Sequence, residues 1–225
     1  YTRAIEIDPE YTDAYNNRGL AHSTREEHRG AIKDYTRAIE LDPEFAAAYN
    51  NRGLAHLALD DNLAAIRDYT NCIELDPNNA NVYNNRGIPH ENLGNHEKAV
   101  QDYTRAIELD PEYAAAYINR ADANSTLGNN EQAIRDFDKG IEIDPHNASA
   151  HSIRGFIHGV LGNNELADQD QATAERLKEE LKEEMKLATE RETDRQIKAH
   201  RCDIEQAIRG YTRAIEMDPE NGSNY

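Results

Sequence analysis

A 34-residue period constrains this chain more than any local motif, because residues that recur at a fixed interval serve the same structural purpose in each unit. Tyr1, Tyr35, Tyr69, Tyr103 and Phe137 fall in one column, Pro9, Pro43, Pro77, Pro111 and Pro145 in a second, and Ala31, Ala65, Ala99, Ala133 and Ala167 in a third. A unit this short covers only half of its own apolar face, so the period predicts a stack in which neighbours stabilise one another.

Within one period the apolar spacing is helical. Tyr49, Gly53 and Leu57 lie four apart and predict a first helix from Ala46 to about Leu59, and Asp60, Asp61 and Asn62 read as a turn. Ala65, Ile66, Tyr69, Cys72 and Ile73 make the buried stripe of a second helix from about Leu63 to Leu75. Asp76-Pro77 ends it, since proline disfavours a helical conformation in the residue before it. Each period is therefore one antiparallel helix pair, and the fold class is all-α.

Gly19, Gly53, Gly87 and Gly155, with Ala121 standing in once, are expected to face the column of small residues on the second helix and to let the two backbones approach closely. Charge also recurs. Arg18, Arg52, Arg86, Arg120 and Arg154 share one column, and Asp34, Asp68, Asp102, Asp136 and Asp170 another. An ion pair is expected in each repeat, with Arg52 to Asp68, Arg86 to Asp102 and Arg120 to Asp136 at its centre. Phasing back from Tyr211 puts Asp194 and Gly210 in those columns, so both partners are lost together in the last repeat.

The segment Tyr49-Asn50-Asn51-Arg52-Gly53, together with Ala65, Tyr69 and the run Ile107-Glu108-Leu109-Asp110-Pro111, closely resembles the tetratricopeptide-repeat (TPR) family. The resemblance covers residues 1 to about 170 and returns from Ala207 to Tyr225. It implies a right-handed superhelical solenoid whose first helices line a concave face, where partners bind as extended peptides or helices. The expected organisation is a partial repeat at 1–10 with a second helix only, a TPR array of about five repeats over 11–170, a long charged irregular helix over 171–206, and a partial repeat at 207–225.

Tyr211 lies 74 residues after Phe137, which is two periods plus six. In residues 171–206, 18 of 36 are charged but ten acidic and eight basic side chains leave a net of only −2, so the acidity of the chain resides in its repeats. No glycine or proline interrupts Asn163 to Arg209, and Ala174, Leu177, Leu181, Met185 and Ala188 form a narrow apolar seam supported by Glu-to-Lys pairs. One helix overrunning its repeat is expected, with three roles open to it: spacer, lid over the groove, or self-association seam.

Composition narrows the function. Of 225 residues 38% are hydrophobic and 30% charged, without tryptophan, which suits thin helix-on-helix seams. A formal charge of −18 without a basic stripe argues against nucleic acid and anionic membrane surfaces as partners. No run of eighteen apolar residues predicts membrane insertion, and the opening at Tyr1, inside a repeat, reads as a soluble fragment of a longer protein. Cytoplasmic localisation is expected, since Cys72 and Cys202 fit neither a disulfide framework nor a zinc cluster. Cys72 stands where Ala4, Ala38 and Ala106 stand and reads as a buried small residue, with Cys202 a free thiol.

Candidate sites lie on the first helices. The chaperone-tail clamp of the family needs lysine and arginine, but the matching positions here are Asn16, Leu20, Asn51, Asn81 and Asn85, and the two later registers also lack a cation. The carboxylate tail of heat-shock chaperones is therefore not expected as a ligand. What the face offers is a ladder, Asn17, Asn51, Asn85 and Asn119, ending at Ile153 and similar to the asparagine ladder of the O-GlcNAc transferase repeat domain. Side-chain amides both donate and accept, so such a row either pairs with a peptide backbone or caps neighbouring helices. Beside it stand Leu20, Leu54, Leu57, Ile88, Ile118, Phe156 and Val160, with Asp13, Glu91 and Asp122 as an acidic rim. Pro89, where flanking repeats have Ala55 and Ala123, is either a tolerated kink or the wall of a pocket beside the ladder.

His22, His56, His90 and His158 also form a column. Stacked helices hold neighbours roughly 9 to 10 Å apart, whereas zinc holds ligands at about 2 Å, so hydrogen-bonded core histidines are expected. No nucleophile with a matched base, phosphate loop or metal spacing is present, so no enzymatic activity and no cofactor are expected. The sequence points to a scaffold that binds a peptide or helix of a partner protein. The alternatives are a regulatory or substrate-recruiting arm of a larger enzyme, and a self-assembling scaffold that forms homo-oligomers through open repeat ends or the 171–206 helix.

Overall fold

The computed structural model describes residues 1–217, which form eleven helices and no strand among the described residues. They are α1 (Thr2–Ile7), α2 (Thr12–Ser23), α3 (His28–Leu41), α4 (Ala46–Leu57), α5 (Asn62–Leu75), α6 (Ala80–Asn92), α7 (His96–Leu109), α8 (Ala114–Thr126), α9 (Asn130–Ile143), α10 (Ala148–Val160) and α11 (Asn164–Met217). The chain divides into two units, Tyr1–Ala174 and a second beginning at Glu175. In the first unit α2, α4, α6, α8 and α10 are the first helices of successive pairs.

Two kinds of turn join the helices. Inside each pair the chain reverses through one residue with positive φ: Glu26 (61°), Asp60 (59°), Gly94 (73°), Gly128 (81°) and Gly162 (81°). Glycine adopts this conformation without a side-chain clash, whereas Glu26 and Asp60 hold it at a cost. Between pairs, Asp8, Asp42, Asp76, Asp110 and Asp144 end the second helices in near-extended conformations, as the following proline requires. Each of these carboxylates accepts the backbone N–H two residues on, for example Glu44 N at 3.0 Å and Glu112 N at 3.1 Å. The side chain thus satisfies a donor that the broken helix leaves free.

The core is a series of separate clusters. Tyr35, Tyr69, Tyr103 and Phe137 are fully buried, and each contributes about 1.5–3 kcal/mol by leaving water. The rings of Tyr35, Tyr69 and Tyr103 meet Gly19, Gly53 and Gly87, whereas Gly155 meets Asp170 and the backbone of Ala167 in the alanine column. A Cβ added to Gly19 would lie 2.6 Å from Tyr35 Cε1, and one on Gly53 2.7 Å from Tyr69 Cε1. The aromatic ring occupies the space that the missing methyl leaves, so the close approach is helix backbone onto ring face. Ala121 replaces glycine only where Phe137 replaces tyrosine, and both are fully buried.

Successive first helices approach one another directly, α2 to α4, α4 to α6, α6 to α8 and α8 to α10, while α3, α5, α7 and α9 make no comparable approach. The first-helix side of this unit is consequently the inner, concave side. Pro89 does not interrupt α6, which continues to Asn92 with Pro89 fully buried. Helix α11 is a single element of 54 residues. Within it Glu179 and Lys182 pair at 2.5 Å, and Leu181 and Met185 are exposed. The positions Asp194, Cys202 and Gly210, and the partial repeat expected after Ala207, lie outside the residues whose side chains are described.

Gly53→Ala is expected to destabilise the fold by about 1–3 kcal/mol through overpacking against Tyr69, read by urea denaturation. Adding Tyr69→Phe should recover part of the loss, because the fourth repeat carries that combination natively.

Candidate functional site

The arginine column is the best-determined polar feature. Arg18, Arg52, Arg86, Arg120 and Arg154 each donate Nε and Nη2 to both oxygens of Asp34, Asp68, Asp102, Asp136 and Asp170, at 2.6–2.9 Å. The carboxylates are buried, so the fork-to-fork geometry compensates their desolvation. Hydrogen bonding to Asp34 raises the Arg18 pKa, and Asp170 does the same for Arg154. Burial works to raise the Asp170 pKa, but Arg154 prevails and the net shift is downward.

Each of the later arginines also reaches back to the preceding pair. Nη1 of Arg52, Arg86 and Arg120 donates to Thr36, Thr70 and Thr104 at 3.1–3.2 Å, and Nη1 of Arg154 to Asp138 at 2.6 Å. The guanidinium groups of the first four stack 5.6–5.8 Å from Tyr15, Tyr49, Tyr83 and Tyr117. His151 takes the place of tyrosine in the fifth pair, with Nδ1 facing Asp170 Oδ1 and Nε2 facing the carbonyl of Pro145, both at 3.3 Å.

The asparagines pair across the first helices. Asn51 Nδ2 donates to Asn16 Oδ1 at 3.0 Å, Asn85 to Asn50 at 3.4 Å and Asn119 to Asn84 at 3.0 Å. One donor of Asn51, Asn85 and Asn119 is therefore engaged inside the protein, while the second N–H and the Oδ1 of each remain for other partners. Between α8 and α10 both members change together. Ile118 stands where Asn16, Asn50 and Asn84 stand, and Ile153 ends the ladder, both packed against the cluster of Ala133, Phe137 and Ala150. Gly140 makes room, since a Cβ there would lie 2.7 Å from Ile118 Cγ1. This coupled replacement was visible in the columns but is recognisable as one packing event only in three dimensions.

On the concave side Leu20 and Leu54 are 41% and 43% exposed and Phe156 is 71% exposed, whereas Ile88 is half-buried. Leu57 turns away to pack against Ala65 and Tyr69, and Ile118 is likewise engaged in the core. A cavity of about 570 Å³ opens between α4 and α6, lined by Ala46, Ala47, Val82, Cys72, Asp76 and the amides of Asn50, Asn79, Asn81 and Asn85. Pro89 does not line it. The cavity lies beside Asn79, in a column that holds Tyr11, Phe45 and Tyr113 in three repeats and Asn147 in the fifth.

Burial sets the behaviour of several remaining titratable groups among the described residues. Burial, with a contribution from Asp76, pushes the Cys72 thiol up to about 11, which keeps it protonated at neutral pH. Burial pushes the Glu91 carboxyl up, although Tyr103 donates its hydroxyl to Glu91 Oε2 at 2.6 Å, and Asp122 adds to the rise. His22 Nδ1 bonds Glu27 at 2.5 Å, but Nδ1 of His90 and of His158 is buried without a partner, so the histidine column is not uniformly hydrogen-bonded. Among the described residues no group of three or more His, Cys, Asp or Glu is placed to hold a metal ion, and no helix is long and apolar enough to cross a membrane.

Antiparallel helix pairs at a 34-residue interval, locked by glycine against an aromatic ring and stacked with first helices inward, define a helical repeat solenoid. Models of the TPR repeat and the tetratricopeptide repeat match residues 25–60 and residues 46–79, 80–113 and 114–147, so the chain belongs to the tetratricopeptide-repeat family, whose members are generally non-catalytic scaffolds for protein interaction. No curated protein matches the chain. Among solved structures, MamA from Desulfovibrio magneticus RS-1 is 17% identical with a TM-score of 0.70, over 75% of this chain and 96% of that one. YrrB, described as a TPR protein with an unusual peptide-binding site, is 24% identical with a TM-score of 0.66, over 78% and 91%. PilF of Pseudomonas aeruginosa is 22% identical with a TM-score of 0.68, over 73% and 75%. These similarities concern the fold.

Arg52→Met should cost about 3–5 kcal/mol by leaving Asp68 buried and unpaired, and Arg52→Met with Asp68→Leu should cost much less; thermal and urea unfolding of the three proteins measure the difference. Burial lowers the pKa of His56 and of His90 below the ordinary 6.5. The unfolded chain then binds protons that the folded chain refuses, so stability is expected to fall as pH drops through 6.5 and below. In His56→Gln/His90→Gln, melting temperature should depend less on pH over that window.

Proposed function

We propose that the chain is a non-catalytic scaffold that holds a peptide or helix of a partner protein along the concave side of its first helices. The observation that carries this reading is the exposure of Leu20, Leu54 and Phe156 in one column of those helices, beside the ladder Asn17, Asn51, Asn85 and Asn119. Apolar side chains held in water at 34-residue intervals supply burial to a guest, and amides with an unused donor and acceptor supply backbone hydrogen bonds without demanding one sequence. The arginines take no direct part, since their carboxylate and threonine partners are internal.

A second reading, assembly with further copies, is favoured by Leu181 and Met185, which are 57% and 63% exposed on α11. Concentration-dependent light scattering decides it, a monomer throughout ruling it out. For the leading reading, Leu20→Ser/Leu54→Ser should weaken a captured partner by at least about tenfold, the worth of roughly one buried leucine, with unchanged melting because both side chains are exposed. Asn51→Ala/Asn85→Ala/Asn119→Ala should weaken it too, but at the additional cost of three inter-repeat bonds. Isothermal titration with intact chain and both variants makes the comparison, and equal affinities across them would refute the groove.

A further inference from the structure

A cavity of about 570 Å³ opens between α4 and α6 beside Asn79, whose amide donates to Asp76 Oδ2 at 3.4 Å. This column holds Tyr11, Phe45 and Tyr113 in three repeats and the shorter Asn79 and Asn147 in two. The Asn85 to Asn50 bond at its edge is 3.4 Å, against 3.0 Å for the two neighbouring asparagine pairs. Ala46, Ala47 and Val82 contribute apolar wall. Four amides and the Asp76 carboxylate contribute the polar lining, and no cation is among the lining residues.

We infer, on the groove reading above, that the guest is a cationic segment that seats one lysine or arginine side chain in this cavity. Amide oxygens and Asp76 are acceptors for an ammonium or guanidinium group, and the apolar wall takes the methylene stem. A carboxylate guest finds amide donors but no balancing charge and meets Asp76. A neutral amide is accommodated by the asparagines but gains nothing from Asp76 or from the field of a chain of net charge −18.

Fluorescence anisotropy with the intact chain tests this. The probes are three labelled peptides of alternating leucine and serine that differ at one central position, occupied by lysine, glutamine or glutamate. At about 0.15 M salt the lysine peptide should bind about tenfold more tightly than the glutamine peptide, the scale of a charge-assisted hydrogen bond, and the glutamate peptide more weakly than either. Asn79→Tyr introduces the aromatic residue of three sister repeats and should fill the cavity. It should bring the lysine-to-glutamine ratio close to one while glutamine-peptide affinity is retained, and Asp76→Asn should lower the ratio without changing cavity size. Equal binding of lysine and glutamine peptides, tighter binding of the glutamine peptide, or a lysine preference untouched by both variants overturns the inference. If those results come with binding that Leu20→Ser/Leu54→Ser abolishes, the groove stands and only its cationic specificity falls. Binding of no peptide, or binding indifferent to the leucine variant, overturns both.

Discussion

The contact of a glycine backbone on a tyrosine ring sets the dimensions of everything else in the first unit. With Tyr35, Tyr69 and Tyr103 seated where a Cβ of Gly19, Gly53 and Gly87 would stand, the two helices of a pair are held at one distance and one rotation. Interiors are close-packed and yield little, so this spacing places the arginine of the first helix opposite the aspartate of the second to within hydrogen-bonding tolerance. The bidentate Arg–Asp pairs of the first three repeats accompany that packing contact, Arg154 and Asp170 form the same pair where Gly155 faces Asp170 and Ala167 instead of a ring, and each pair fixes the register of its two helices.

Coupling between pairs is both apolar and polar: Tyr35 shares a cluster with Ala55, Tyr69 with Val82 and Tyr103 with Ala123 of the following pair. The third nitrogen of Arg52, Arg86 and Arg120 binds a threonine of the preceding pair, and asparagine amides link the same neighbours on the concave side. Such bonds contribute modestly each, on the order of 1 kcal/mol, but they repeat at every interface and leave few buried donors unmatched. Toward the C-terminal end of the array the chemistry changes. Threonine becomes Asp138, tyrosine becomes His151, and the asparagine pair becomes Ile118 with Ile153. The last interface is held by charge and by apolar contact instead of by amides.

This economy ties the proposed binding face to the fold. The ladder amides hold neighbouring helices with one hydrogen and present the other to solvent, so substitutions there act on both stability and recognition. The exposed Leu20, Leu54 and Phe156 carry no such double duty. The cavity beside Asn79 lies in one of the two repeats that carry asparagine, Asn79 and Asn147, where three others carry Tyr11, Phe45 and Tyr113, and the cluster of Ala65, Tyr69, Cys72 and Val82 still joins the two pairs beside it.

The period, the helix pairs, the turn at each Asp-Pro and the alignment of arginine with aspartate columns were all legible in the sequence, since each follows from spacing along a helix of known geometry. So was the column of exposed leucines on the first helices. The need for positive φ at Glu26, Asp60, Gly94, Gly128 and Gly162 was written in one column too, but mixed residue types obscured it. Only tertiary structure decided that Gly19, Gly53 and Gly87 oppose rings, that Leu57 turns to the core while Leu54 stays in water, that Asn51, Asn85 and Asn119 pair between helices, and that a cavity opens beside Asn79. The physical reason is common to all four. Periodicity tells which residues share a face, whereas which atoms meet across two faces depends on the distance and rotation of the packed helices, and those are set by contacts between residues far apart in the chain.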